Sequence, residues 1–360
     1  MKLTLKERKE AIVNLWRGKE RGPVYYIGTV GREAPKGQVI EDFSLMLALE
    51  KERIAQKETI EDYDIPAIRT DFGTAIFPSA FGCPLFFSPE KYPWNTPIIF
   101  DDPSQVYRLE KPSVDAGLLS RVLEFTAFAV SFSTYPLRMT DLQGPIDTVY
   151  LMWESNAFFA ALVEAKEAVH YLLDLVTDLI IDFVQTQKRI VGEREFILCH
   201  LPHYLPSGEG ICVSEDLLAL LSPPLYREFA LPYLSRLSRT FGGVFIHSCG
   251  NFTHNLPVLR EVEGLRGVNF GATETPVEEV LGILGGEVVV SPHVGLNKDI
   301  VFGDIFDYLD HLFRVGKGYP GLYVLVDTTN SLMKENMEWS EEKLTRIYRF
   351  FENWRGAYGQ

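Results

Sequence analysis

The chain has 360 residues, 46% of them hydrophobic, enough to bury a large core in one or two domains. A net charge of −14, a pI near 5.1 and no cluster of Lys and Arg argue against a nucleic-acid partner, which needs concentrated positive charge. Four scattered cysteines, Cys83, Cys199, Cys212 and Cys249, do not make a disulfide framework and point to a reducing cytoplasm.

Met1 to Arg21 is charged and lacks the apolar core of a signal peptide. No window approaches the ~20 apolar residues of a membrane span, so the chain is expected to be cytoplasmic and to have no membrane partner. Residues 25–28 form a short apolar run, expected as a strand outside the main sheet, and 43–56 carry an apolar stripe with charges opposite, a helix. Short apolar runs then alternate with helical patterns. Strands are expected at 65–71, 137–141, 195–200, 210–213, 243–247, 267–270, 287–291 and 322–327. Helices are expected at 114–132, 165–188, 225–241, 277–284, 300–315 and 340–354. The helix at 225–241 follows Ser222-Pro223-Pro224, is stopped by Gly242-Gly243, and carries Pro232, which should kink it. Eight strands with intervening helices make a (β/α)8 TIM barrel, class α/β. Barrels need about 250 residues, which leaves residues 1–60 as an N-terminal helical extension to a barrel over 61–360.

In such a barrel the functional groups sit at the C-terminal ends of the strands. Those ends carry Asp71, Asp141, His200, His247 with Cys249, Asn269, His293 and Asp327. His247-Ser248-Cys249-Gly250-Asn251 places an imidazole and a thiol one residue apart, on one side of a strand end, with Gly250 free to turn the backbone. Zinc takes that pairing of nitrogen and sulfur, and Asp327 or His293 can supply a further metal ligand. Asp71, Asp141 and His200 are candidates for shaping the pocket or moving protons. Asn269, Asn251 and His203 are candidates for substrate contact. Blander roles compete: Asp141 as a helix cap, Asn269 as a bridge between backbone groups, Cys249 as a small core residue.

The stretch 216–251, with Leu220-Leu221-Ser222-Pro223, Phe229-Ala230-Leu231-Pro232-Tyr233 and His247-Ser248-Cys249-Gly250-Asn251, resembles the uroporphyrinogen decarboxylase superfamily. So do Thr140-Asp141-Leu142-Gln143-Gly144-Pro145 and the segment from Asp71 to Ala80-Phe81-Gly82. The resemblance covers most of the chain after about residue 60 and implies a (β/α)8 barrel. It offers two chemistries. The decarboxylases use no metal or cofactor and hold pyrrole nitrogens through one Asp, which Asp71 resembles. Their Arg-Gln-Ala-Gly-Arg motif is replaced here by Gly31-Arg32-Glu33-Ala34-Pro35-Lys36, and Pro145-Ile146-Asp147-Thr148 stands where they carry a Pro-Trp-Thr-Leu type segment. The other branch holds zinc through a His-x-Cys pair plus a Cys on the last strand, and passes a methyl group from a corrinoid protein to a thiol. His247 and Cys249 match the pair, and the third position falls near Asp327. The chain has no Asp-x-His-x-x-Gly, so a corrinoid is expected on a separate partner protein. Barrels of this superfamily commonly pair, which implies a homodimer. The reading is a zinc-dependent methyltransferase; the alternatives are a cofactor-free decarboxylase working through Asp71 and His247, and a non-catalytic ligand-binding barrel.

Overall fold

A computed structural model describes residues 3–28, 34–295, 300–326 and 340–357. The strands in chain order are β1 (Val24–Ile27), β2 (Ile68–Arg69), β3 (Leu85–Ser88), β4 (Lys91–Asn95), β5 (Leu137–Arg138), β6 (Phe196–Ile197), β7 (Ile211–Ser214), β8 (Val244–Ser248), β9 (Leu265–Gly271), β10 (Val289–His293) and β11 (Tyr323–Val326). All eight expected barrel strands form. Their parallel pairings run β2-β5-β6 and β7-β8-β9-β10. The Cys212 N–H donating to the Leu198 carbonyl joins β6 to β7, and a bridge from Val290 to Leu322 joins β10 to β11. With β1, nine parallel strands among the described residues contribute to a barrel of the (β/α)8 type. β7 to β11 are almost wholly buried because helices cover one face and the barrel interior the other.

One expectation is corrected. The strand near residues 25–28 is not separate from the sheet: β1 pairs in parallel with β11, Val24 opposite Tyr323 and Ile27 opposite Val326. Val24 and Ile27 are fully buried, and that apolar surface is what the pairing removes from water. The first 60 residues also form the helices Leu5–Trp16, Lys36–Glu41 and Phe43–Lys57. Leu5–Trp16 starts at a Thr4/Glu7 capping box.

The helix expected over 225–241 is two helices, Pro223–Phe229 and Leu231–Phe241, because Pro232 in the first turn of the second cannot continue the hydrogen bonding of the first. The longest helix, Lys166–Val191, packs its apolar stripe on Leu118–Phe132 and Pro145–Met152. An antiparallel hairpin, β3 and β4, interrupts the barrel after β2. Its Phe86 and Trp94 stack with centroids 5.8 Å apart. Among the described residues no helix is long and apolar enough to cross a membrane.

Candidate functional site

A cavity of about 500 Å³ opens where the strands end. Residues from or just beyond β1 (Gly28), β2 (Arg69, Asp71), β5 (Arg138), β6 (His200), β8 (His247), β9 (Asn269), β10 (His293) and β11 (Leu325) line it. The barrel brings these together because each parallel strand delivers its C-terminal end to the same face.

At one side lie His247 and Cys249. Alternation along β8 turns Ser248 into the core and leaves the flanking side chains together, His247 Nε2 3.5 Å from Cys249 Sγ. Gly250 follows at φ +81, a conformation that favours glycine. The opposite ring nitrogen, His247 Nδ1, is 2.7 Å from Asn269 Oδ1. Asp216, just beyond β7, accepts the Cys249 N–H at 2.8 Å. One ligand atom from each of Asp216, His247 and Cys249 lies within 4.8 Å of the others. Burial, then the carboxylates of Asp216 and Glu274, push the Cys249 thiol up to about 12. A cation shared by these groups would reverse that preference. The donor set of imidazole nitrogen, sulfur and carboxylate oxygen is one that zinc takes.

Opposite them is a charged group. Arg69 lies 3.3 Å from Asp71 and 3.6 Å from Asp141. Asp71 also accepts from the Tyr92 hydroxyl at 2.8 Å and the Gly73 N–H at 3.2 Å. Burial raises its pKa, but Arg69 and those two hydrogen bonds outweigh burial and hold it below the usual carboxylate range. His200 Nε2 is 3.1 Å from Ser214 Oγ and 3.6 Å from Asp141. Burial lowers its pKa to about 4, and burial beside His247 lowers that of His293 to about 3. Both rings are therefore neutral at pH 7. Among the described residues, the Nδ1 atoms of His200 and His293 are buried without a hydrogen-bond partner.

These two rings make stability acid-sensitive. The unfolded histidines take up protons near pH 6.5 and the folded His200 only near 4, so stability falls as pH drops through that window, by up to about 3 kcal/mol for His200. Urea midpoints measured from pH 7 to pH 4.5 should fall less steeply for His200→Gln than for the wild type; parallel slopes would contradict the assignment.

Several residues are placed differently from the sequence expectation. His203 does not line the cavity. It is fully buried inside the barrel, edge-on to Phe245 and Tyr323, with Nε2 2.6 Å from Ser291 Oγ. Asn251 turns away to cap its own loop, accepting from the Thr253 N–H at 3.1 Å and Thr253 Oγ1 at 2.8 Å. Asn269 reaches the cavity but spends its amide on His247 and Ser291. His293 stacks on His247 with centroids 5.8 Å apart, and the metal-type cluster contains Asp216 in its stead. Asp327 lies outside the described residues.

Sequence reasoning missed Asp216 and the cationic wall. Asp216 follows the strand with the weakest apolar run. Lys36, Arg53, Arg69 and Arg138 all line the cavity. Arg138 lies within β5, 3% exposed, and donates to the backbone carbonyls of Leu201, Pro202 and His203, tying down the loop after β6.

The family model described as Uroporphyrinogen decarboxylase (URO-D) matches residues 9–190, just over half of the chain. The chain belongs to the URO-D family. The matched region begins ahead of β1, in keeping with that strand's place in the sheet. This URO-D family protein is 26% identical over 174 residues to "Uroporphyrinogen decarboxylase" of Xanthomonas axonopodis pv. citri (strain 306), covering 45% of this chain and 43% of that protein. The protein of the same description from Xanthomonas oryzae pv. oryzae (strain PXO99A) is 25% identical over 173 residues, 42% of its length. The match thus spans less than half the length of these curated relatives. Two solved structures share the fold along nearly the whole chain. A methyltransferase from Methanosarcina mazei has a TM-score of 0.66 at 14% identity, covering 98% of this chain and 99% of that one. A B12-independent methionine synthase from Shewanella sp. W3-18-1, in complex with selenomethionine, has a TM-score of 0.53 at 12% identity, covering 93% and 98%. At 14 and 12% identity, these two structures show a shared fold.

Proposed function

We propose that this URO-D family protein is a zinc-dependent methyltransferase that moves a methyl group between a corrinoid carried on a separate protein and a thiol or similar acceptor. The observation that carries the reading is the convergence of His247 Nε2, Cys249 Sγ and an Asp216 carboxylate oxygen at the mouth of the barrel. His247, Cys249 and Asp216 would hold the metal, Asp216 supplying from just beyond β7 the third ligand that the resembling enzymes take from a cysteine on the last strand. Zinc bound there would let an acceptor thiol ionise near neutral pH. The chain's own residues do the rest. Asn269 fixes the His247 ring. His200 and His293 line the cavity as neutral rings. Asp71 stays ionised against Arg69 and Tyr92, and so orders the opposite wall rather than donating a proton.

A second reading, cofactor-free decarboxylation of a carboxylated substrate, is favoured by Lys36, Arg53, Arg69 and Arg138 lining the same cavity. The two separate on a pair of variants. Thiol-dependent demethylation of methylcobalamin, with zinc content measured on the same sample, should be lost in Cys249→Ser and largely kept in Asp71→Asn. Tolerance of Cys249→Ser, with loss in Asp71→Asn, would move the assignment to decarboxylation. Failure of the wild-type protein to bind added zinc would remove the methyltransferase reading.

A further inference from the structure

We propose that Asn269 is a positioning residue that locks His247 as its Nδ1–H tautomer, leaving the Nε2 lone pair facing Cys249. The inference deepens the metal reading above but rests on hydrogen-bond polarity that stands without it.

The direction of each bond follows from two backbone carbonyls, which can only accept. Asn269 is 1% exposed, and its Nδ2 donates to the Ser291 carbonyl at 2.7 Å and lies 3.3 Å from Ser291 Oγ. The opposite amide orientation would set two carbonyl oxygens against each other, so Oδ1 must face His247. At 2.7 Å from Oδ1, His247 Nδ1 has to carry the proton. In the neutral ring Nε2 then carries the lone pair, 3.5 Å from Cys249 Sγ.

The same argument runs deeper into the barrel. Ser291 Oγ donates its only proton to the Tyr323 carbonyl at 2.7 Å. Its oxygen can therefore only accept from His203 Nε2, 2.6 Å away. His203 is thus the Nε2–H tautomer, the reverse of His247, and its Nδ1 has no partner among the described residues. The chain His247–Asn269–Ser291, with His203 and Tyr323 behind it, crosses β8, β9, β10 and β11. This gives His203 a role that its sequence position at a strand end did not suggest: it buttresses the serine that orients the asparagine.

A metal-ligating histidine is usually held through its other nitrogen, and loss of such a partner typically lowers metal affinity about 10–100-fold. Nitrogen-15 NMR of the metal-free, full-length protein, labelled in histidine, reads the tautomers directly. His247 should show Nδ1–H and His203 Nε2–H. Finding His247 as Nε2–H overturns the proposal, whatever the metal result. Asn269→Ala should relax His247 to a tautomer mixture and weaken zinc binding, measured by chelator competition, about 10–100-fold. Asn269→Asp keeps an acceptor for Nδ1–H and should retain most of the affinity while lowering thermal stability through its lost bond to Ser291. Unchanged zinc affinity in Asn269→Ala, with the wild type binding zinc, overturns the positioning role. A wild type that binds no zinc removes the metal reading alone, because the tautomer spectrum still decides the role of Asn269. If Asn269→Ala does not fold, that same wild-type spectrum decides.

Discussion

Cys249→Ala is expected to take the purified protein from stoichiometric zinc to none, with loss of thiol-dependent methyl transfer. Of the three groups that converge, Cys249 offers the only sulfur. Without it, the site keeps one imidazole and an exposed carboxylate whose Oδ1 already accepts the Cys249 N–H. Two such ligands do not make a closed site for zinc, which in catalytic centres keeps three protein ligands and one open position. The loss should therefore exceed the roughly 10–100-fold typical of partners outside the ligand set. The fold should survive. Cys249 is only partly buried, and the alanine keeps the backbone N–H that Asp216 accepts. Asp216→Asn, which keeps an oxygen ligand but removes its charge, should fall between the wild type and Cys249→Ala. Metal analysis after chelation and replenishment, with circular dichroism as the control for folding, checks all three. Full zinc occupancy in Cys249→Ala would sink the assignment.

The barrel was readable from the sequence because its strands are buried on both faces. Runs such as Val289-Val290 and Tyr323-Val324-Leu325-Val326 have no solvent side, so they appear as unbroken apolar segments between amphipathic helices. Helix ends were readable where backbone chemistry marks them, as at Gly242 and Pro223. The place of β1 was not. Four apolar residues carry no record of their partner, and β11 lies almost 300 residues away. The β3–β4 hairpin was missed for a different reason: Pro93 and the mixed exposure of Leu85–Ser88 hide any period-two pattern.

The site was legible residue by residue but not in its pairings. Alternation along one strand suffices to place His247 beside Cys249, because that contact is local. Asp216 joins them through the lateral packing of β7 against β8, where Ser214 is opposite His247, and only the register shows it. Asn269 reaches His247 in the same way, opposite it across β8 and β9. Each pairing lies one strand over, and a strand's neighbour is a tertiary fact. His203 misled because a histidine near a strand end reads as polar, whereas here it is fully buried with one nitrogen satisfied by Ser291. Arg138 was missed because nothing local marks a charge within a strand as buried; backbone carbonyls from the loop after β6 accept its N–H groups.

Asp62→Ala should destabilise the protein by about 3–5 kcal/mol, because it strands a buried ammonium. Lys57 is 1% exposed and pairs with Asp62, itself fully buried at its side chain. Lys57 Nζ also donates to the Ile27 carbonyl at 2.5 Å and sits 3.9 Å above the Tyr26 ring. Asp62 takes the Ile27 N–H at 2.7 Å and the Asp64 N–H at 3.0 Å. The pair therefore grips Ile27, the last residue of β1, at both its N–H and its C=O. Removing the carboxylate leaves a desolvated cation and two buried backbone donors without partners, each of the latter costing about 1–3 kcal/mol. Asp62→Asn keeps one acceptor for Ile27 and should lose less. Lys57→Met with Asp62→Asn removes the stranded charge and should recover part of the loss, since well-packed apolar groups often replace a buried ion pair without penalty. The consequence reaches the cavity: Tyr26 and Gly28 flank Ile27 and both line it. A loosened β1 should therefore weaken binding of a substrate in the cavity even where the fold persists. Urea unfolding of the four proteins orders them; an Asp62→Ala midpoint equal to the wild type would mean that β1 is held by its pairing with β11 alone.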